Sequence, residues 1–282
     1  MTTTMRNIPG RLLLLCCCLQ ACAAPRGLAP GTTSLRIKGS DTMIMLVQRW
    51  AEEFMLRHPG LAIYVEGGGS AAGIAALIKG EADISAASRP LRAIEARQLA
   101  ARQHTIGVAS LVAKDGLSIY LNPANPVRNL SLAQVRDIYL GRIKSWREVG
   151  GRDVPITALS RSPNSGTYLY FQEHVLEGQA YGHHVISLPT TAAIVAAVAE
   201  DSTAIGYGGI AHGRQLVHCS INGITPTIEA VRRDLYPITR YLYLYTVQKP
   251  QGTAKLFIDW VLSKEGQRLV QEMDYVPLFE VP

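Results

Sequence analysis

The chain has 282 residues, 48% hydrophobic and 18% charged, which allows one large or two modest domains with real cores. Its 28 Lys and Arg against 22 Asp and Glu leave a balance of +6, but the basic residues are dispersed and no DNA- or RNA-binding motif accompanies them. That balance reads as mild attraction for anions, not as a nucleic-acid footprint. No His/Cys cluster has metal-ligand spacing, and His183-His184 reads as a solvated turn, so neither metal nor cofactor is expected.

In chain order, the first segment is an address. Arg6 and Arg11 precede the apolar run Leu12 to Leu19, too short to span a bilayer as a helix. It ends Leu19-Gln20-Ala21-Cys22, which resembles a bacterial lipobox, in which the Cys is lipidated and becomes the new N-terminus. Residues 1–21 are then a lipoprotein signal peptide, Cys22 carries the lipid, and residues 22–33 are a flexible tether. The alternative is an ordinary secretion signal. Cys16, Cys17 and Cys18 leave with the signal, and only Cys219 remains, so the mature chain can form no internal disulfide.

Leu35 to Ile37 reads as a strand running into Lys38-Gly39-Ser40-Asp41-Thr42. A helix follows, Met43 to Arg57, with Met43, Leu46, Val47, Trp50 and Phe54 at helical spacing. His58-Pro59-Gly60 stops it. Leu61 to Val65 is a strand, Gly67 to Gly73 a small-residue turn, and Ile74 to Lys79 a helix. Asp83 to Ala87 is a strand leading to Ser88-Arg89-Pro90. Glu95 to Gln103 is a polar helix, and Ile106 to Val112 and Leu117 to Leu121 are two strands. Ser131 caps a helix that Gly141 ends. Val154 to Leu159 is a strand, Tyr168 to Leu176 a helix, and Thr190-Thr191 caps Ala192 to Ala199. Ala204 to Tyr207 is a strand, Tyr236 to Val247 a longer one, and Lys255 to Met273 a terminal helix.

This alternation of strand, Gly/Ser turn and helix means an α/β protein with a mostly parallel sheet and helices on its faces. In open sheets of this type ligands sit beyond the carboxyl ends of the strands. Ser40 with Thr42, Gly69 with Ser70, and Ser88 with Arg89 all fall there. So does Arg161-Ser162-Pro163-Asn164-Ser165-Gly166-Thr167, where a guanidinium, two hydroxyls and a Gly meet the start of a helix. The free N–H groups and dipole of that helix favour an anion. Arg161 adds a two-toothed grip on an oxyanion. Ser165 and Thr167 can donate hydroxyls, and Gly166 lets a ligand approach the backbone. The bland reading is a surface Arg and a set of N-caps. Gly68-Gly69-Ser70-Ala71-Ala72 nearly forms a nucleophile elbow, but its last position is Ala and no His or acid stands in a recognisable context, so an enzyme is not expected.

Seven segments in this order resemble the phosphate-binding proteins of bacterial ABC phosphate importers, which are type 2 periplasmic binding proteins. They are Lys38 to Thr42, Gly67 to Ser70, Ala87 to Leu91, Arg161 to Thr167, Ala204 to Tyr207, Tyr241 to Tyr245, and Ser263 to Gln267 ahead of Val276-Pro277-Leu278. The resemblance implies two α/β lobes, each on a mixed sheet with helices on both faces, joined by two crossing strands around 115–121 and 237–243. Lobe 1 is then residues 34–114 plus 244–282, and lobe 2 residues 115–243. It also implies that Arg161, Ser165, Gly166 and Thr167 clasp inorganic phosphate, with Ser40, Asp41, Thr42, Gly69 and Ser70 opposite. An ABC permease and ATPase would be the partners of a monomer held at the membrane by Cys22, in the periplasm or at the cell surface. The chain departs from the family twice. Arg89 stands where many members have an Asp that accepts the ligand's proton, and Pro163 replaces an Asp inside the clasp. Asp41 is the nearest substitute acceptor, and Arg89 is expected to add charge in the cleft. A different oxyanion, such as sulfate or molybdate, and a sensing role without transport are the alternatives.

Overall fold

The computed structural model describes residues 1–2 and 33–281. The signal, the lipobox Cys22 and the tether lie outside the described residues, apart from Met1, Thr2 and Thr33. Among the described residues ten strands and nine α-helices follow in order: β1 (Thr33–Gly39), α1 (Ile44–Arg57), β2 (Leu61–Glu66), α2 (Ser70–Lys79), β3 (Ile84–Ala87), α3 (Ala93–Gln103), β4 (Val108–Leu121), β5 (Asn129–Leu130), α4 (Leu132–Leu140), β6 (Thr157–Arg161), α5 (Gly166–His174), β7 (Ile186–Leu188), α6 (Thr191–Glu200), β8 (Ala204–Gly209), β9 (Val217–Ile221), α7 (Ile228–Arg232), β10 (Thr239–Thr246), α8 (Gly252–Val261) and α9 (Lys264–Glu272). Among the described residues no helix is long and apolar enough to cross a membrane.

The strands form one mixed path, β2-β1-β3-β10-β4-β8-β6-β7, with β9 beside β4 and β5 beside β9. β1 runs parallel to β2 and β3, and β6 parallel to β7 and β8. β10 is antiparallel to both β3 and β4. The two mixed sheets expected of the family meet along β4. Residues 108–116 of β4 pair with β10, and residues 117–121 pair with β8 and β9.

Two large apolar clusters pack on this path. One gathers Leu35, Ile37, Leu46, Trp50, Phe54, Leu244 and Phe257 around the first three strands. The other gathers Leu117, Ile119, Ile138, Trp146, Phe171, Ile205 and Tyr207 around β4, β6 and β8. Burying a side chain of this size contributes about 1.5–3 kcal/mol. Trp50 also donates its indole N–H to the Gly266 carbonyl at 2.9 Å, tying α1 to α9. Trp146 is a core residue, and its indole donates to the Thr203 carbonyl at 2.8 Å.

Several elements differ from the sequence expectation. The stretch expected as two strands is one strand of 14 residues, β4. The glycines of β8 do not break it, because its small residues lie under buried neighbours such as Ile194 and Tyr120. The terminal helix is two helices, since the Ser263 hydroxyl caps α9 by accepting from Gly266 N–H. Helix α2 begins at Ser70 itself, so the Gly-rich turn is shorter than expected. Strands β5, β7 and β9 and helix α7 are too short for periodicity to reveal.

Candidate functional site

Five strand-to-helix turns converge. Those after β1, β2 and β3 carry Ser40, Asp41, Thr42, Gly68, Gly69, Ser70 and Ser88. Those after β6 and β7 carry Arg161, Asn164, Ser165, Thr167, Pro189 and Thr191. Ser40, Thr42, Ser70, Ser88, Arg161, Ser165, Thr167 and Thr191 are all buried.

Arg161 ends β6 and is 1% exposed. Its Nη1 donates to Thr191 Oγ1 at 2.8 Å, and its Nη2 donates to Asp41 Oδ2 at 2.6 Å and to the Pro189 carbonyl at 3.0 Å. Its Nε is buried and, among the described residues, has no acceptor. Burial pulls the guanidinium pKa below its ordinary value, against the opposing pull of Asp41. A guanidinium stays protonated in proteins. Asp41 Oδ1 accepts from Gly68 N–H at 2.9 Å, so one carboxylate ties the second turn to the guanidinium.

Hydroxyls line the same cluster. Thr42 Oγ1 and Thr167 Oγ1 are 2.8 Å apart, joining the first turn to α5. Ser70 Oγ accepts from Ser88 N–H at 3.1 Å and lies 3.4 Å from Ser88 Oγ. Ser165 caps α5, accepting from the N–H groups of Thr167 and Tyr168. Asn164 completes the join. Its Nδ2 donates to the Gly68 carbonyl at 2.8 Å, and its own carbonyl accepts from Ala71 N–H at 3.1 Å. This approach leaves no room for side chains at two positions. A Cβ on Gly69 (φ +92°) would stand 2.7 Å from the Asn164 carbonyl oxygen, and one on Gly166 would stand 2.3 Å from Ser70 Oγ.

The expected residues Ser40, Asp41, Thr42, Gly69, Ser70, Arg161, Ser165, Gly166 and Thr167 therefore come together. Arg89 does not join them. Its Nη1 and Nη2 fork onto Glu95 at 2.8 and 2.6 Å, and Nη1 also donates to the Pro90 carbonyl. The guanidinium is buried by that acid at the start of α3, so its charge is neutralised locally and not delivered to the cluster. Ser88, one residue earlier, is the member of that turn that faces Ser70.

The structure adds residues that the sequence did not single out. Thr191 and Pro189 hold Arg161. Tyr275 Oη and His212 Nε2 both donate to the Thr42 carbonyl, the latter at 3.0 Å, and burial lowers the His212 pKa. Arg240 and Asp115, directly opposite each other on β10 and β4, form a buried ion pair, with Arg240 Nε and Nη2 3.0 and 2.8 Å from Asp115 Oδ2. Arg240 Nη1 donates to Thr167 Oγ1 at 3.0 Å. The dispersed chemistry elsewhere is structural. Cys219 is buried, its thiol pushed up to about 12 by burial, which leaves it unreactive. Among the described residues no group of three His, Cys, Asp or Glu is placed to hold a metal.

Hydroxyls, amides and one guanidinium gathered from two halves of a mixed sheet, at strand carboxyl ends, define a two-lobe type 2 periplasmic binding protein. Comparison with known proteins bears on this directly. The model of the PBP superfamily domain matches residues 24–265. The phosphate-binding protein PstS of Bacillus subtilis is 30% identical over 262 residues, covering 91% of this chain and 84% of that one. PstS of Pseudomonas aeruginosa is 28% identical over 263 residues, covering 85% and 81%. A Clostridium perfringens structure, described as a phosphate ABC transporter substrate-binding protein with bound phosphate, superposes with a TM-score of 0.82 at 29% identity, covering 88% of this chain and all of that one. The chain belongs to the PBP superfamily, among the PstS-like phosphate-binding proteins, a family of binding proteins and not of enzymes.

Proposed function

We propose that this protein captures inorganic phosphate between its two lobes and delivers it to an ABC permease and its ATPase, outside the cytoplasm, held to the membrane by lipid on Cys22. The observation that carries the reading is the buried Arg161 cluster, with its donors drawn from both halves of the sheet. The names of the relatives support phosphate over other anions. The ligand set proposed is Ser40, Asp41, Thr42, Gly69, Ser70, Arg161, Ser165, Gly166 and Thr167, joined by Ser88. Arg89 is left out because Glu95 occupies its fork. The proposed lobes are residues 34–114 plus 244–282 and residues 115–243. The two apolar clusters divide near these limits, and β4 and β10 run through both boundaries.

The energetics require many donors. Micromolar binding needs about 8 kcal/mol net. A hydrogen bond to a charged group contributes about 1.5–3 kcal/mol, and association itself has a cost. Converging hydroxyls and backbone N–H groups supply such bonds without adding a net charge for each. The test is calorimetry of the chain from Ala23 with phosphate, sulfate and molybdate across pH. Phosphate is expected to bind most tightly, and a stronger response to another oxyanion would replace phosphate in the reading.

Two substitutions examine the geometry. Asp41 is the carboxylate bonded to Arg161, and each of its oxygens keeps a lone pair beyond the bond it accepts. It can take the proton of hydrogen phosphate, which sulfate lacks. Asp41→Asn is expected to lower the ratio of phosphate to sulfate affinity, and an unchanged ratio removes Asp41 from the acceptor role. In Gly166→Ala the new methyl would overlap the Ser70 and Ser88 hydroxyls. Overpacking of this kind costs about 1–3 kcal/mol. It is expected to appear as roughly tenfold weaker phosphate binding, and wild-type affinity would show that the two turns do not meet in the bound state.

A further inference from the structure

The Thr42–Thr167 contact joins α5 to the turn ahead of α1, and both side chains are buried. A guanidinium has N–H groups to give and nothing to accept with, so at the 3.0 Å contact Thr167 Oγ1 accepts from Arg240 Nη1. Two hydroxyls own two protons, and one is spent between them. Whichever way the pair is turned, one hydroxyl proton is left for a third group. The Arg240 contact fills a lone pair on Thr167 at the same time, so the pair is poorer as an acceptor and stronger as a donor. Arg240 itself is fixed. It stands opposite Asp115 in the β10–β4 register and gives two N–H groups to the same carboxylate oxygen.

We propose that Arg240 is a positioning residue of the phosphate site, acting through Thr167. It turns the Thr42–Thr167 pair into a net donor toward the ligand, and it anchors that pair to the two strands that run between the halves. The proposal rests on phosphate binding in the Arg161 cluster. It assigns a function to the Arg240–Asp115 pair beyond fold stability: a positive charge is felt at the ligand one hydroxyl removed, while Asp115 keeps the site's own balance neutral. An oxyanion ligand is favoured by such an arrangement, and a ligand that must donate at this corner is not.

A double-mutant cycle tests it in the full chain. Asp115→Asn with Arg240→Met removes both charges, so no lone charge is left buried. This double variant is expected to weaken phosphate about tenfold by calorimetry, and Thr167→Val to do about the same, each the loss of a single hydrogen bond's worth. The triple variant is expected to bind within about twofold of Thr167→Val alone, because the route from Arg240 is already cut. A tenfold loss that persists in the Thr167→Val background, or no loss in either, overturns the proposal while phosphate binding stands. A parent chain that gives no phosphate heat overturns both. Should the double variant fail to fold, Arg240→Lys enters the same cycle. It keeps the charge but cannot reach Asp115 and Thr167 together, and the same non-additivity is expected.

Discussion

Arg161→Ala is expected to lose most of the phosphate binding, by roughly thirtyfold to several-thousandfold. The range follows from truncating one member of a buried, hydrogen-bonded charge pair, which costs about 2–5 kcal/mol. Three effects add. At the proposed site the ligand loses a buried guanidinium. Asp41 Oδ2 loses its 2.6 Å partner and presents an uncompensated carboxylate to the incoming anion. Thr191 and the Pro189 carbonyl lose the group that holds the β7–α6 turn against the cluster. Calorimetry with phosphate reads the loss, and a melting curve in phosphate-free buffer separates it from unfolding. Adding Asp41→Asn to Arg161→Ala is expected to recover part of the affinity, because the repulsive charge is then gone. Wild-type affinity in the single variant would move the anion site elsewhere.

How far the sequence could be read depends on whether each feature is local. The Arg161–Thr167 turn is legible because strand, turn and N-cap are contiguous, and the Ser165 hydroxyl closes on amides two and three residues ahead. The turns after β1, β2 and β3 were legible for the same reason. Arg89 reads as a cleft residue, but its guanidinium is taken by Glu95, which the sequence shows only as the first residue of a polar helix. The Arg240–Asp115 pair could not be seen at all, being 125 residues apart. The strands that read as ending at Val112 and beginning again at Leu117 are one continuous β4, which carries Asp115 and Gly116 in its middle. The charge is neutralised by the residue directly across the ladder, and a Cβ on Gly116 would stand 2.5 Å from Val231 Cγ2. Alternation of apolar and polar residues cannot announce a charge that is buried by a partner from another strand.

That pair gives the largest expected effect on stability. Asp115 and Arg240 are 0% and 1% exposed at their side chains, so neither is solvated by water. Asp115→Ala leaves the guanidinium buried with Thr167 Oγ1 as its only remaining side-chain acceptor among the described residues. Breaking a buried pair from one side costs about 3–5 kcal/mol, because the surviving charge keeps its desolvation penalty and loses its compensation. For a domain of this size each kcal/mol moves Tm by about 2–4 °C, so a fall of roughly 6–20 °C is expected. Removing both charges, as in Asp115→Asn with Arg240→Met, is expected to recover most of that fall, since an apolar or neutral pair of similar volume is often as stable as the ion pair it replaces. The melts belong in phosphate-free buffer, where ligand linkage cannot raise the parent's Tm above that of a weaker-binding variant. If Asp115→Ala melts within about 2 °C of the parent, less than one kcal/mol rests on the pair, and the junction of β4 and β10 must be held by its ladder and the two apolar clusters alone.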